Sequence, residues 1–99
     1  MSPPSVAEQV LDLVATIPAG RVLTYGDVAG RLGLASARQV GHVLSTAVGD
    51  ATVPWHRVVF ADGTFAAHLA VEQGDRLRAE GAAVGAGRVR LAACRWTGR

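Results

Sequence analysis

Val53-Pro54-Trp55-His56-Arg57-Val58-Val59 is the stretch on which the rest of the chain depends. Proline has a fixed φ and no amide donor, so Pro54 marks a strand edge or a turn. Val58, Val59 and Phe60 resume a β-prone run, and Asp62-Gly63 then supplies a strong hairpin-turn pair. The pattern predicts a hairpin over 57–67, small enough to be a wing, with Trp55, His56 and Arg57 beside a bend. The indole has two readings at this point. It is either the anchor of a small core next to a surface His and Arg, or one wall of a site.

Ninety-nine residues make one domain, and nearly half of them are apolar. No apolar run approaches the roughly 20 residues that span a bilayer. The start, Met1-Ser2-Pro3-Pro4, lacks a basic region followed by an apolar stretch. A lone cysteine, Cys94, forms no internal disulfide, which suits a reducing compartment. The expectation is a cytoplasmic monomer. All ten basic residues are Arg, and seven of them fall in 51–99 against four acids there. Arginine's planar fork suits phosphates and base edges, although GC-rich codons produce the same bias. Such a mildly basic second half permits nucleic-acid binding without requiring it.

Upstream, Ser5-Val6-Ala7-Glu8 fits a capping box, and Val6, Val10, Leu13, Val14 and Ile17 follow at helical spacing. Pro18 and Gly20 end that helix, and Arg21-Val22-Leu23 is extended. Thr24 with Asp27 offers a second N-cap, opening a short helix that Gly33 closes. Ser36-Ala37-Arg38-Gln39 offers a third box, opening a helix to about Ala47. Val40, Val43, Leu44 and Ala47 form one stripe of it, and Arg38, Gly41, His42 and Ser45 the opposite one. Two short helices joined by a glycine-containing turn make a helix-turn-helix, whose second helix commonly enters a DNA groove. A plain helical hairpin with a solvated face has the same pattern. A last helix is expected over about 70–80, and a tiny hairpin is expected around Gly85-Ala86-Gly87. The tail from Cys94 has no assignable partner in the sequence.

His42, His56, His68 and Cys94 lack the paired spacing of zinc ligands, and no Gly-x-Ser-x-Gly elbow occurs, so neither metal nor cofactor is expected.

Pro54-Trp55-His56-Arg57-Val58 resembles the Pro-Cys-His-Arg-Val motif of O6-alkylguanine-DNA alkyltransferases, with Trp in place of the nucleophilic Cys. That replacement is the mark of the alkyltransferase-like proteins, and the resemblance extends over about 75 residues, from Ile17 through Leu91. It implies a mainly α, winged helix-turn-helix-like domain with small β-hairpins. By the same resemblance, Tyr25 contacts the target nucleotide and Arg38 is the finger that fills the gap left by a flipped base. Thr24, Ala37, Gly41 and Ser45 complete the DNA-binding set, while Tyr25, Trp55, His56, Val58 and Glu80 form the lesion pocket. Backbone groups at Trp55 and Val58 are expected to read the guanine edge. His56 and Glu80 match the pair that activates the thiolate in true transferases.

An indole is no usable nucleophile. The resemblance therefore implies a non-enzyme that binds duplex DNA containing O6-alkylguanine, flips the base, leaves the alkyl group in place and flags it for nucleotide excision repair. Gly49-Asp50-Ala51 replaces the family's Asn-containing hinge, and Phe65-Ala66-Ala67-His68-Leu69 is a shorter lid that implies room for bulky adducts. Two rivals stand beside this expectation: a methyltransferase using Cys94, and a sequence-specific helix-turn-helix regulator.

Overall fold

The computed structural model describes residues 2–98. Helix α1 spans Val6–Ala15. At its start the Glu8 amide donates to Ser5 Oγ at 3.1 Å, and the Ser5 amide donates back to the Glu8 carboxylate. That reciprocal box satisfies amides a helix start otherwise leaves without partners. Val10, Val14 and Ile17 are buried, as their spacing predicts.

Strand β1 (Leu23–Thr24) runs straight into helix α2 (Tyr25–Leu32), with Thr24 as the N-cap. The Asp27 amide donates to Thr24 Oγ1 and the Thr24 amide to Asp27 Oδ2, both at 3.0 Å. Gly33 ends α2 in the left-handed region at φ 68°, where a side chain would be strained. Helix α3 (Ala37–Ser45) follows and completes the helix-turn-helix. Its expected third box is only half there: Ser36 Oγ accepts from the Arg38 amide, and no bond returns from Gln39. Helices α1, α2 and α3 enclose a first core of Val10, Val14, Val28, Val40 and Leu44, and Trp55 belongs to it.

The hairpin expected over 57–67 does not form. Asp62-Gly63 does turn the chain: the Gly63 amide donates to the Phe60 carbonyl at 2.8 Å, and the Phe60 amide to the Thr64 carbonyl at 3.0 Å. But strand β2 (Val58–Val59) pairs in parallel with β1, Leu23 opposite Val58 and Thr24 opposite Val59. All four of these residues are buried, and a strand covered on both faces suits a parallel partner better than an exposed wing. Phe65 instead turns into a second core with Val22, Val59, Leu77, Ala82, Val89 and Cys94.

Helix α4 (Ala70–Ala79) packs over that core. Strands β3 (Val84–Gly85) and β4 (Arg88–Val89) form the expected small hairpin, with Ala86 and Gly87 both at positive φ in its turn. Helix α5 (Leu91–Cys94) leads into the tail, which is tied to the residue just before β1 by a parallel bridge between Val22 and Arg95. Mostly helical with short strands, the fold matches the sequence expectation. Among the described residues no helix is long and apolar enough to cross a membrane.

Candidate nucleic-acid interface

A cavity of about 580 Å³ opens between the helix-turn-helix and the Trp55 corner. Tyr25 reaches it from the first residue of α2. Ala37, Arg38, Gly41, His42, Leu44 and Ser45 line it from α3, and Phe60, Ala66, His68 and Leu69 close the far side. Its volume lies within the roughly 300–1,000 Å³ of small-molecule pockets. Trp55 is only 4% exposed, yet it is part of this wall. The indole packs into the first core and still borders a space that opens at the recognition helix. At the mouth the rings of Tyr25 and Phe60 lie 5.3 Å apart, tilted by 42°. Burial raises the Tyr25 phenol pKa, so its hydroxyl remains a donor at neutral pH.

The corner is built by local geometry. Pro54 sits at the centre of a tight turn in which the Trp55 amide donates to the Val53 carbonyl at 2.8 Å. A single 3₁₀ turn, Trp55–Arg57, then aims successive side chains in different directions. Upstream, in the segment that replaces the expected hinge, the Asp50 carboxylate accepts the Thr52 amide at 2.9 Å and the Thr52 hydroxyl at 2.7 Å. Behind the corner, buried Gln73 on α4 donates to the carbonyls of His56 (3.1 Å) and Val58 (2.8 Å).

Five of the six residues expected to face DNA (Tyr25, Ala37, Arg38, Gly41 and Ser45) lie together on the cavity wall. Thr24 does not. It is 4% exposed, and its hydroxyl is committed to capping α2. His56, Val58 and Glu80, expected in the pocket, stand behind the Trp55 wall. Val58 is fully buried, its carbonyl is taken by Gln73, and the Trp55 amide is held in the Pro54 turn. Within the fold, one backbone group of each of these two residues thus already has a partner.

His56 and Glu80 form a polar cluster with Arg57. Glu80 accepts from Arg57 through Nε and Nη2, from His56 Nε2 at 3.0 Å and from the Gly20 amide at 3.2 Å. Arg57 also donates to the Ile17 carbonyl at 2.9 Å. Burial pushes the Glu80 pKa up, but the hydrogen bonds from Arg57, His56 and Gly20 outweigh it and bring the carboxyl down to about 2. For His56, burial outweighs the attraction of Glu80 and lowers the pKa, so the ring is neutral at neutral pH. Its Nε2–H then faces Glu80, which leaves Nδ1 as a buried acceptor with no partner. An imidazole backed by a carboxylate has the form of a general base. The side chain in front of it is an indole.

Cys94 stands elsewhere. It is buried in the second core, its sulfur accepts from the Ala83 amide at 3.3 Å, and it does not border the cavity. Sequence reasoning missed Arg57 as the partner of Glu80, Gln73 as the corner's tether, and Phe60 as a wall residue, while Ala66, His68 and Leu69 of the expected lid do line the cavity. Phe60 carried the one available signal, an aromatic side chain just before a turn.

A helix-turn-helix whose second helix opens onto an aromatic-walled cavity large enough to admit a base has the form of a DNA-binding domain with room for a nucleotide as well as a groove. Residues 5–82 match the family model of the 6-O-methylguanine DNA methyltransferase DNA-binding domain, and the chain belongs to that family. It is 45% identical over 96 residues to the DNA base-flipping protein of Escherichia coli K12, covering 93% of this chain and 74% of the relative. Alkyltransferase-like protein 1 of Schizosaccharomyces pombe is 44% identical over 78 residues, which cover 74% of this chain and 72% of the relative. The crystal structure of S. pombe Atl1 with damaged DNA containing O6-carboxymethylguanine superposes with a TM-score of 0.86 at 32% identity. That match covers 99% of this chain and all of the other.

Proposed function

We propose that this protein binds duplex DNA containing O6-alkylguanine, turns the damaged nucleotide out of the stack into the cavity, and holds it there with the alkyl group intact. The observation that carries this is the wall itself: Trp55 and Arg38 border one cavity, and no thiol borders it. Arg38, at the exposed start of α3, fills the gap left by the extruded base. Tyr25 meets the everted nucleotide at the mouth. The small residues Ala37 and Gly41 let the α3 backbone approach the duplex.

Extrusion costs a few kcal/mol, less for a damaged or mispaired base. Stacking on an aromatic wall offsets it by about 1–3 kcal/mol. His56 and Glu80, which would prepare a thiolate in a transferase, here fix the corner from behind. A thiol at Cys94 is too far into the other core to take the alkyl group. The short turn bearing Ala66 and His68 leaves space for adducts larger than methyl. The protein acts as a cytoplasmic monomer, and the held lesion is a flag for nucleotide excision repair.

The test pairs two otherwise identical duplexes, one carrying a single O6-methylguanine. Tighter binding to the marked duplex, with an unchanged intact protein mass after incubation, is expected. A methyl-sized mass gain would make the protein a transferase, and affinity indifferent to the mark would make it an ordinary helix-turn-helix binder.

A further inference from the structure

The tail that had no partner in the sequence has one in the fold. The Val22 amide donates to the Cys94 carbonyl at 2.9 Å, and the Trp96 amide donates to the Val22 carbonyl at 2.8 Å. Successive residues of a strand aim their amides and carbonyls at opposite edges. Val22 therefore serves the tail while Leu23, the next residue, faces β2 and the Trp55 corner behind it. One short strand carries both and runs directly into Tyr25.

Two clasps then join the tail to α2. Arg95 grips the Asp27 carboxylate with both arms of its fork, Nε to Oδ2 at 3.0 Å and Nη2 to Oδ1 at 2.6 Å. That same carboxylate is the returning half of the capping box that starts α2. At the other end of the helix, Arg31 donates to the carbonyls of Gly98 (2.6 Å) and Trp96 (3.1 Å), and its guanidinium carbon lies 4.6 Å from the centre of the Trp96 ring. Helix α2 is eight residues long, too short to persist without outside support. None of these tail residues lies within the segment, 5–82, that matches the family model.

From this geometry we infer that residues 95–98 are a brace for the reading head, and that Arg95 is a positioning residue that sets Tyr25 through the Asp27 cap. Tyr25 lies between the two halves of that cap, with its ring against Phe60 at the cavity mouth. Loosening the first turn of α2 swings the phenol away from where an everted nucleotide has to meet it. Since the inference rests on the proposed flipping of a damaged base, its test needs one readout that does not.

Arg95→Ala, Arg95→Lys and Trp96→Ala are compared with the parent chain. Amide hydrogen exchange at Asp27 and Val28 reads the brace directly. Arg95→Ala should speed it by roughly the three- to tenfold that a weakened cap allows, with the α1 amides unchanged. In binding, Arg95→Ala should lose about the same factor in affinity for the O6-methylguanine duplex and little for the unmodified one, with Trp96→Ala in the same direction. Arg95→Lys keeps the charge but not the fork and should recover only part. Unchanged exchange at Asp27 and Val28 would overturn the brace. So would an equal loss on both duplexes, because a tail that merely stabilises the fold lowers both. If the parent chain shows no preference for the marked duplex, the flipping proposal fails, and the exchange measurement decides the brace by itself.

Discussion

Replacing Glu80 by Gln tests the cluster behind the Trp55 corner. A carboxyl that ionises near 2 in the fold, against an ordinary 4.5, contributes about 3 kcal/mol at neutral pH, at about 1.4 kcal/mol per tenfold change. The side chain is only 17% exposed, so solvent screening removes little of this. The sign follows from the depressed folded value. The contribution is complete above about pH 4.5 and disappears as pH falls through that value towards 2. Neutral His56, whose pKa is also lowered, acts in the same direction, because protonating it in its buried place opposes folding.

Urea unfolding followed by far-ultraviolet circular dichroism at pH 7, 5 and 3 measures the effect. At pH 7, Glu80→Gln should be less stable by about 3 kcal/mol, in line with breaking a buried pair from one side. The gap should narrow at pH 3 and close near pH 2. Other carboxylates with lowered pKa values, such as Asp27, are present in both proteins and cancel in the difference. Parallel stability curves for parent and variant from pH 7 to 3 would refute the account, since Glu80 would then not be held ionised by Arg57, His56 and Gly20.

Arg38→Ala should weaken binding to the O6-methylguanine duplex by about 1–3 kcal/mol, measured by fluorescence anisotropy, without changing thermal stability. Trp55→Ala removes a buried wall and should cost about 3–5 kcal/mol of folding stability, together with most of the preference for adducts larger than methyl. Gly63→Ala should destabilise the fold by about 1–3 kcal/mol in chemical unfolding, because Gly63 sits at φ 84° and an added Cβ would run into the Val89 carbonyl.

What could be read in advance was local, and what could not was a matter of depth. Ser5 with Glu8 and Thr24 with Asp27 announce helix starts because the cap closes within three residues, and the structure closes both. Val40 and Leu44 are buried on one side of α3 and Ala47 just beyond its end, while Arg38 and Ser45 face out on the other side. Asp62-Gly63 correctly marks a turn. The strand before it nevertheless pairs with residues far upstream, and no local signal encodes a parallel partner. The tail's place depends in the same way on Val22, which nothing in residues 94–98 foretells.

Depth also separates site residues that the sequence places side by side. Trp55, His56, Arg57 and Val58 are consecutive, so spacing assigns them to one place, but the 3₁₀ turn separates them into a cavity wall, two members of a charged cluster and a core residue. An indole is large enough to fill the position between the cavity and that cluster. With it in place, the general-base geometry of His56 and Glu80 has no thiol in front of it, and the same residues serve instead to hold the wall against which a base can stack.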